Sequence, residues 1–247
     1  MRAILKLTWV EIKLFLREPI NAIFTFALPF IFLFVMGEVF GKAPATEEVF
    51  RGFGAMNFYV PAYIALVIAS TGLIGLPVHL TGYREQGFLR RLRASSLPSL
   101  SLIGAQAIVS FIVVLLCCIL LVIVAFITSD VDFPRAPALL IAAFTISVLS
   151  FTALGFFLGA LLPTTRAAQI VGLLLFFVMF ILSGGGPPPE VMSSTMQWIG
   201  KIMPLTHVVI LLQDLWNGLG WNWSAFLIIA GVMLIASIIS FYVFRWE

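Results

Sequence analysis

Residues 82–98 read Gly-Tyr-Arg-Glu-Gln-Gly-Phe-Leu-Arg-Arg-Leu-Arg-Ala-Ser-Ser-Leu-Pro and lie between two apolar runs, each long enough to cross a bilayer. They hold four of the chain's 14 lysine and arginine residues, namely Arg84, Arg90, Arg91 and Arg93. Because basic loops stay on the cytoplasmic side of a membrane, this charge predicts a cytosolic loop. Wound as a helix, the loop would place on one face, at i, i+3, i+4 and i+7, the residues Glu85, Phe88, Leu89 and Leu92. A short amphipathic helix of this kind is suited to docking on a partner.

The composition around this loop indicates a membrane protein. Hydrophobic residues make up 62% of the 247 residues and charged residues 10%, against about 25% charged in ordinary soluble domains. Apolar runs of about 20 residues, the length that crosses a bilayer, recur along the chain. We therefore predict an all-α, polytopic membrane protein with a single domain, residues 1–247, contacting the lipid bilayer along its length. The six predicted spans are Ile20–Phe40, Met56–Leu80, Leu100–Thr128, Pro137–Leu162, Ala167–Gly184 and Trp223–Phe244.

The distribution of basic residues predicts the orientation. Ten of the lysines and arginines fall in the N-terminal segment, the loop 82–98, the fourth loop and the C-terminus, and four fall in the remaining loops. This asymmetry predicts that both termini lie in the cytoplasm, in a plasma (inner) membrane. The formal net charge of +3 is then explained by the basic residues that orient the chain in the membrane, and no nucleic-acid partner is needed to explain it.

Residues 1–19 are predicted to form an amphipathic helix in the membrane interface, ended by Glu18-Pro19. Its basic residues lie along one stripe, and Glu11 and Glu18 are seven residues apart on the side away from that stripe. Two interpretations remain open. The helix anchors the chain at the membrane surface, or the two glutamates pair with the basic loop or with a partner.

Residues 185–221 are predicted to be a re-entrant segment on the outer side. Three glycines and three prolines after Ser183 must end the fifth span. The two apolar segments that follow, Glu190–Met203 and Leu205–Leu219, are each too short to cross alone, and together they predict a helical hairpin dipping in from outside. The alternative is that they pair into one more crossing, which would move the C-terminus outside and break the charge asymmetry.

Small residues within the spans indicate where helices approach each other closely. Gly72 and Gly75 lie in the second predicted span, and Gly155 and Gly159 form a Gly-x-x-x-Gly pair in the fourth. Cys117 and Cys118 are adjacent inside the third, where neither a disulfide framework nor a metal site is expected.

The chain lacks the sequence features of an energy-converting enzyme. None of its four lysines is followed by Ser or Thr, so no phosphate-binding Gly-x-x-x-x-Gly-Lys-Ser/Thr loop is present. Asp and Glu do not fall clearly in mid-span, where an ion-coupled carrier holds its ion. No nucleophile is paired with a base, and His79 and His207 are predicted near opposite membrane faces. We therefore expect no catalytic residues, metal or cofactor in this chain, and energy supplied by another polypeptide.

Several motifs, in order, give the chain a family resemblance: Leu16-Arg17-Glu18-Pro19, the run from Arg84 to Leu92, Pro98, Ser183-Gly184 with Pro189-Glu190, and Pro204-Leu205-Thr206. With these motifs the sequence resembles, over nearly its whole length, the membrane-spanning permease of type-2 ATP-binding-cassette exporters. That family moves drugs, lipids and glycan precursors.

The resemblance implies a pair of permeases working with two cytosolic ATPase subunits, which would bind the ATP and Mg²⁺. It places the coupling helix for the ATPase within residues 82–98 and implies coupling roles for Arg84, Glu85, Phe88, Leu89, Arg91 and Leu92, together with Glu11 and Glu18. The arginines alternatively enforce topology and contact anionic lipid head groups.

A cluster of phenylalanines in the fourth and fifth predicted spans is a candidate lining for a hydrophobic or amphipathic substrate: Phe151, Phe156, Phe157, Phe176, Phe177 and Phe180. Packing against lipid is the competing interpretation for them. For the chain as a whole, the alternatives to an ATP-driven exporter are a channel or carrier that acts without an ATPase, and a membrane assembly scaffold.

Overall fold

In the computed structural model, which describes residues 23–40, 48–88, 99–129 and 131–243, all regular secondary structure is helical. The predicted interfacial helix 1–19, with Glu11 and Glu18, lies outside these residues. So do Leu89, Arg91 and Leu92 of the predicted coupling loop. The all-α prediction is confirmed for the described ranges.

Nine α-helices follow one another along the described chain: α1 Leu28–Phe40, α2 Ala55–Ser70, α3 Leu76–Glu85, α4 Ser99–Thr128, α5 Pro137–Leu161, α6 Thr165–Leu182, α7 Ser194–Ile202, α8 Pro204–Trp216 and α9 Trp223–Val243. A π-helical turn, Ile23–Ala27, precedes α1, and a second one, Thr71–Gly75, joins α2 to α3. Short 3₁₀ turns lie at Glu48–Phe50 and Pro189–Val191.

Five of these segments are long and apolar enough to cross a membrane: Ala55–Glu85, Gly104–Thr128, Pro137–Leu161, Thr165–Leu182 and Trp223–Val243. Each corresponds to a predicted span, and their ends differ from the prediction by a few residues. The first predicted span corresponds to the shorter apolar helix Thr25–Phe40. Exposed leucine, isoleucine, valine and phenylalanine side chains cover the outward faces of α1, α4, α5, α6 and α9. Hydrocarbon stabilises such faces and water does not, so the chain is a multi-pass membrane protein.

The segment Ala55–Glu85, formed by α2, the second π turn and α3, is the central element of the bundle. It has 31 residues and is therefore about 46 Å long, which exceeds a hydrocarbon core of about 30 Å. Almost all of its apolar length is buried inside the protein. The ends of this helix define two ends of the molecule: the Asp214 end, where α2 begins near Asp214, and the Glu85 end, where α3 stops.

Glycines bring α5 and α6 into backbone contact with the second π turn. A Cβ atom on Gly155 would lie 2.5 Å from the carbonyl oxygen of Gly72, and one on Gly72 would lie 2.5 Å from that of Phe151. On the other side of the turn, a Cβ on Gly172 would lie 2.3 Å from the carbonyl oxygen of Leu73. The close approach predicted for Gly72 and Gly155 is confirmed, and Gly172 is a third such contact that the sequence pattern did not reveal.

The pair α7–α8 is bent by 90° at its break. Helix α8 is buried along most of its length, against α2, α5 and α9. Helix α7 is largely exposed and contacts the end of α6. There, a Cβ on Gly200 would lie 2.6 Å from the carbonyl oxygen of Leu182. Two short helices occur here as predicted, but they do not form the predicted hairpin. Their arms are perpendicular rather than antiparallel, because α8 packs into the bundle while α7 stays at its edge.

Candidate functional site

The loop that follows α3 starts with a helix stop. Gln86 caps α3, and Gly87 has φ +65° with its N–H donating to the carbonyl oxygen of Arg84 at 3.0 Å. A left-handed glycine at this position ends a helix. The prediction that Glu85 and Phe88 share one continuous helical face is therefore wrong. The ring of Phe88 instead lies against Tyr83, with 4.9 Å between ring centroids.

Glu85 is bound to the first residue of α6. Its carboxylate accepts a hydrogen bond from the backbone N–H of Thr165 at 3.1 Å and a second one from the Thr165 hydroxyl. Thr164 caps the same helix, because its hydroxyl oxygen accepts the N–H of Ala167 at 3.2 Å. The first N–H groups of a helix have no partner within the helix and carry partial positive charge, so a carboxylate is stabilised there.

Arg84, the preceding residue, binds the end of α5. Its guanidinium donates to the carbonyl oxygen of Leu162, the residue that caps α5 at its C-terminus. The last carbonyls of a helix carry partial negative charge, which favours a cation. Two adjacent side chains of opposite charge thus bind two helix ends of opposite polarity. We call the contacts among Arg84, Glu85, Leu162 and Thr165 the Glu85 tether.

The phenylalanines predicted to line a substrate path do not share a surface. Those that are buried inside the described chain are Phe151, Phe156, Phe176 and Phe180. Phe157 is partly buried against the core, and Phe177 is 40% exposed. Phe180 packs against Phe32, with 4.5 Å between ring centroids, and stacks on Phe176. In this conformation the four buried rings pack the bundle, and Phe177 is the member of the set that faces outward.

A polar network occupies the Asp214 end. The guanidinium of Arg51 donates to the carboxylate of Asp214 at 2.8 Å and to the side-chain oxygen of Gln213 at 3.2 Å. The side-chain amide of Asn222 donates to the other Asp214 oxygen at 2.8 Å, and Gln213 donates to the carbonyl oxygen of Phe58 at 3.0 Å. Buried charges are stable only when paired and hydrogen-bonded, and this carboxylate is both.

The connections on either side join the same network. Asn57 donates to the Asp132 carboxylate at 2.8 Å and accepts the N–H of Asp132 at 2.9 Å, and the N–H of Arg135 donates to the carbonyl oxygen of Trp216 at 3.0 Å. The last turn of α8 is thus bound by Arg51 to the segment before α2 and by Arg135 to the segment before α5, and the Asn57–Asp132 pair binds that second segment to α2. Arg51 has φ +57°, a conformation that side chains with a Cβ rarely adopt, and its ion pair holds it there.

Sequence reasoning did not assign a role to Thr165, Arg51 or Asp214. The signal for Thr165 was the Pro163-Thr164-Thr165 run before an apolar helix, which is typical of a helix start. The signal for Asp214 was an acidic residue beside Gln213 within an otherwise apolar segment. Such a residue is expected to be buried and paired, but the sequence does not show with which partner.

No cluster of three or more His, Cys, Asp or Glu side chains that could hold a metal ion occurs within the described ranges. Cys117 and Cys118 are buried free thiols, and the Cys117 sulfur lies 3.1 Å from the carbonyl oxygen of Thr25. The polar contacts described above join helices and the segments between them.

A helical bundle with apolar outward faces, and with polar contacts at both ends of its central helix, is the architecture of a membrane-embedded component. The ABC-2 type transporter family matches residues 2–217, and the chain belongs to this family. It is also 26% identical over 226 residues to ycf38 of Cyanophora paradoxa, a protein provisionally named a transport permease, covering 90% of this chain and 76% of that one. The protein is thus a membrane component of a transporter, in a family whose members are generally non-catalytic and work with an ATPase partner.

Proposed function

We propose that the chain is the permease subunit of an ATP-driven exporter that moves a hydrophobic or amphipathic molecule such as a drug, a lipid or a lipid-linked glycan. Two copies act with two cytosolic ATPase subunits, which bind the ATP and Mg²⁺. Both termini face the cytoplasm of a plasma (inner) membrane. The Glu85 end is the cytosolic end, and the segment 185–221 lies outside.

The observation that carries this proposal is the geometry of the Glu85 end. The central helix is longer than the bilayer is thick, and the most basic loop of the chain leaves from its end. Two side chains at the start of that loop are bound to two other helices. A partner that pushes on the end of α3 would therefore act on side chains that are bound to α5 and α6.

The burial of charge favours an external source of energy. Of the described carboxylates, Asp214 is the one that is buried, and it lies at the Asp214 end, paired with Arg51. A carrier coupled to protons or sodium requires ionisable groups at mid-depth, and the described spans show no buried carboxylate there.

The proposed substrate class rests on the surfaces that the spans expose. Beyond Arg166 in the first turn of α6, the large side chains exposed along this helix are apolar: Ile170, Leu174, Phe177, Val178 and Ile181. An apolar wall between two such chains would admit hydrophobic and amphipathic molecules and would disfavour ions.

Co-purification tests the partner. The chain should retain a P-loop ATPase when the two are co-expressed, and Leu89→Asp with Leu92→Asp should abolish that association while membrane insertion is unchanged. Leu219→Asp is the matched control. The Leu219 side chain is 62% exposed at the opposite end of the chain, so this variant should retain the ATPase. If the unmodified chain binds no ATPase, the chain is a channel, carrier or scaffold instead.

Cysteine labelling tests the orientation. Gln86 and Thr195 are exposed at opposite ends of the described chain, and the native cysteines are buried, which limits background labelling. A membrane-impermeant maleimide should label Gln86→Cys only after the cytoplasmic side is opened, and Thr195→Cys in intact cells. The reverse pattern would exclude the cytosolic position of the loop.

A further inference from the structure

The Glu85 tether joins three helices through two consecutive residues. The connection from α5 to α6 consists of Leu162, Pro163 and Thr164. Arg84 binds its first residue, and Glu85 binds Thr165, which follows it directly. A connection this short has little freedom once both ends are held. The end of α3 and the start of α6 therefore behave as one body at the membrane surface.

The opposite end of α6 is also held by a direct contact. The carbonyl oxygen of Leu182, the last residue of α6, lies so close to Gly200 of α7 that a Cβ on Gly200 would be 2.6 Å from it. Along its length α6 meets the second π turn at Gly172. A helix is stiff along its axis, so a displacement of its first turn reaches α7 unless the middle contact absorbs it.

We infer that Thr165 is a positioning residue through which Glu85 makes the end of α3 and α6 move together, so that a push on the loop after α3 reaches α7 at the far side of the membrane. This inference rests on the proposed function, because an ATPase must supply the push. The residues that touch the ATPase are the loop residues themselves, and Thr165 acts through Glu85 without belonging to the docking surface.

Position 165 allows the tether to be cut with little other damage. Thr165 is the first residue of α6, and Thr164 before it is extended, with φ −135° and ψ 156°. Proline is favoured at the first position of a helix, and it requires an extended residue before it. Thr165→Pro thus removes both donors to Glu85, the hydroxyl and the N–H, while the helix start is preserved. Thr165→Val removes the hydroxyl alone, and Thr165→Ser keeps both donors and is the matched control.

The first measurement uses the chain alone in lipid nanodiscs. Hydrogen exchange of the amides of residues 85–88 should be about two- to tenfold faster in Thr165→Pro than in the unmodified chain, which is the range expected for the loss of a hydrogen bond. Thr165→Ser should exchange as the unmodified chain does. Equal exchange in Thr165→Pro and Thr165→Ser would overturn the tether, whether or not an ATPase binds.

The second measurement uses the complete complex with its ATPase. Spin labels at Thr195→Cys in α7 and Ala138→Cys in α5, both exposed positions, report the distance between these helices before and after trapping with ATP and vanadate. The distance change should be present with Thr165→Ser, reduced with Thr165→Val and lost with Thr165→Pro, while ATPase binding is retained in all three.

A distance change that persists in Thr165→Pro would overturn the transmission step. Loss of ATPase binding in Thr165→Pro would also overturn it, since Thr165 would then belong to the docking surface. If the unmodified chain binds no ATPase, the proposed function fails and the transmission step fails with it, but the exchange measurement still decides whether the tether exists.

Discussion

Replacing Gly172 by alanine tests the packing at the centre of the bundle. The new Cβ would lie 2.3 Å from the carbonyl oxygen of Leu73 and 3.2 Å from the Cα of Ile74. Both are backbone atoms of the second π turn, and Gly72 in the same turn is already in contact with the backbone at Phe151, which limits how far the turn can shift. Helix α6 must therefore move outward, by about 1 Å if an ordinary contact is to be restored.

Overpacking of this kind costs about 1–3 kcal/mol. For a chain of this size, each kcal/mol lowers the midpoint of thermal unfolding by about 2–4 °C. We therefore expect Gly172→Ala to lower the unfolding midpoint by about 2–12 °C, measured in one detergent by the intrinsic fluorescence of the six tryptophans.

Gly231→Ala is the matched control, because a Cβ on Gly231 in α9 would meet no atom within 4 Å. Alanine favours a helix over glycine by about 0.5–1 kcal/mol, so this variant should be as stable as the unmodified chain or slightly more stable. A Gly172→Ala variant that unfolds at the same temperature as Gly231→Ala would refute the close packing of α6 on the π turn.

Three further changes test other parts of the structure. Arg51→Ala should destabilise the fold by about 1–3 kcal/mol, because the Asp214 carboxylate is only 8% exposed and loses its cation. The free energies of unfolding of Arg51→Ala, Asp214→Ala and the double variant should show that the two changes are not additive. Phe176→Ala should cost about 3–5 kcal/mol through the cavity it leaves, whereas Phe177→Ala should cost far less because that ring is 40% exposed; similar losses of stability would contradict the burial described here. Gly87→Ala should cost about 1 kcal/mol, because a φ of +65° is strained for alanine even though a Cβ there meets no atom. Gly87→Asn should be tolerated. Equal stability of Gly87→Ala and the unmodified chain would argue against a left-handed helix stop.

The spans could be predicted because each depends on a local property of the chain. A run of apolar residues long enough to cross hydrocarbon has few alternatives, and the ends of α5 and α9 agree with the prediction within one residue. Gly155 and Gly159 could be selected for the same reason, because a helix brings glycines four residues apart onto one face. The pattern did not show which helix they face.

The loop after α3 shows where local reasoning failed. The spacing of Glu85 and Phe88 predicts a helix that continues past Gly87. A glycine can also end a helix, and here Gly87 takes the left-handed conformation that does so. The sequence also does not reveal the partner that Glu85 has within the chain, because its carboxylate binds Thr165, 80 residues away in sequence. The predicted phenylalanine cluster is grouped by position along the chain, but consecutive residues of a helix point in different directions, so Phe176 is buried and Phe177 is exposed.

Hydropathy and the counts of charged residues established that this is a multi-pass helical membrane protein, since the transfer of a side chain into lipid depends on that side chain and its near neighbours. The ordered motifs indicated its family for a similar reason, because they too are read along the chain. The pairing of Arg51 with Asp214, the binding of Arg84 and Glu85 to the ends of α5 and α6, and the contact of three helices at the second π turn appeared only in the folded bundle. Each of these depends on distances between residues far apart in sequence, and packing sets those distances.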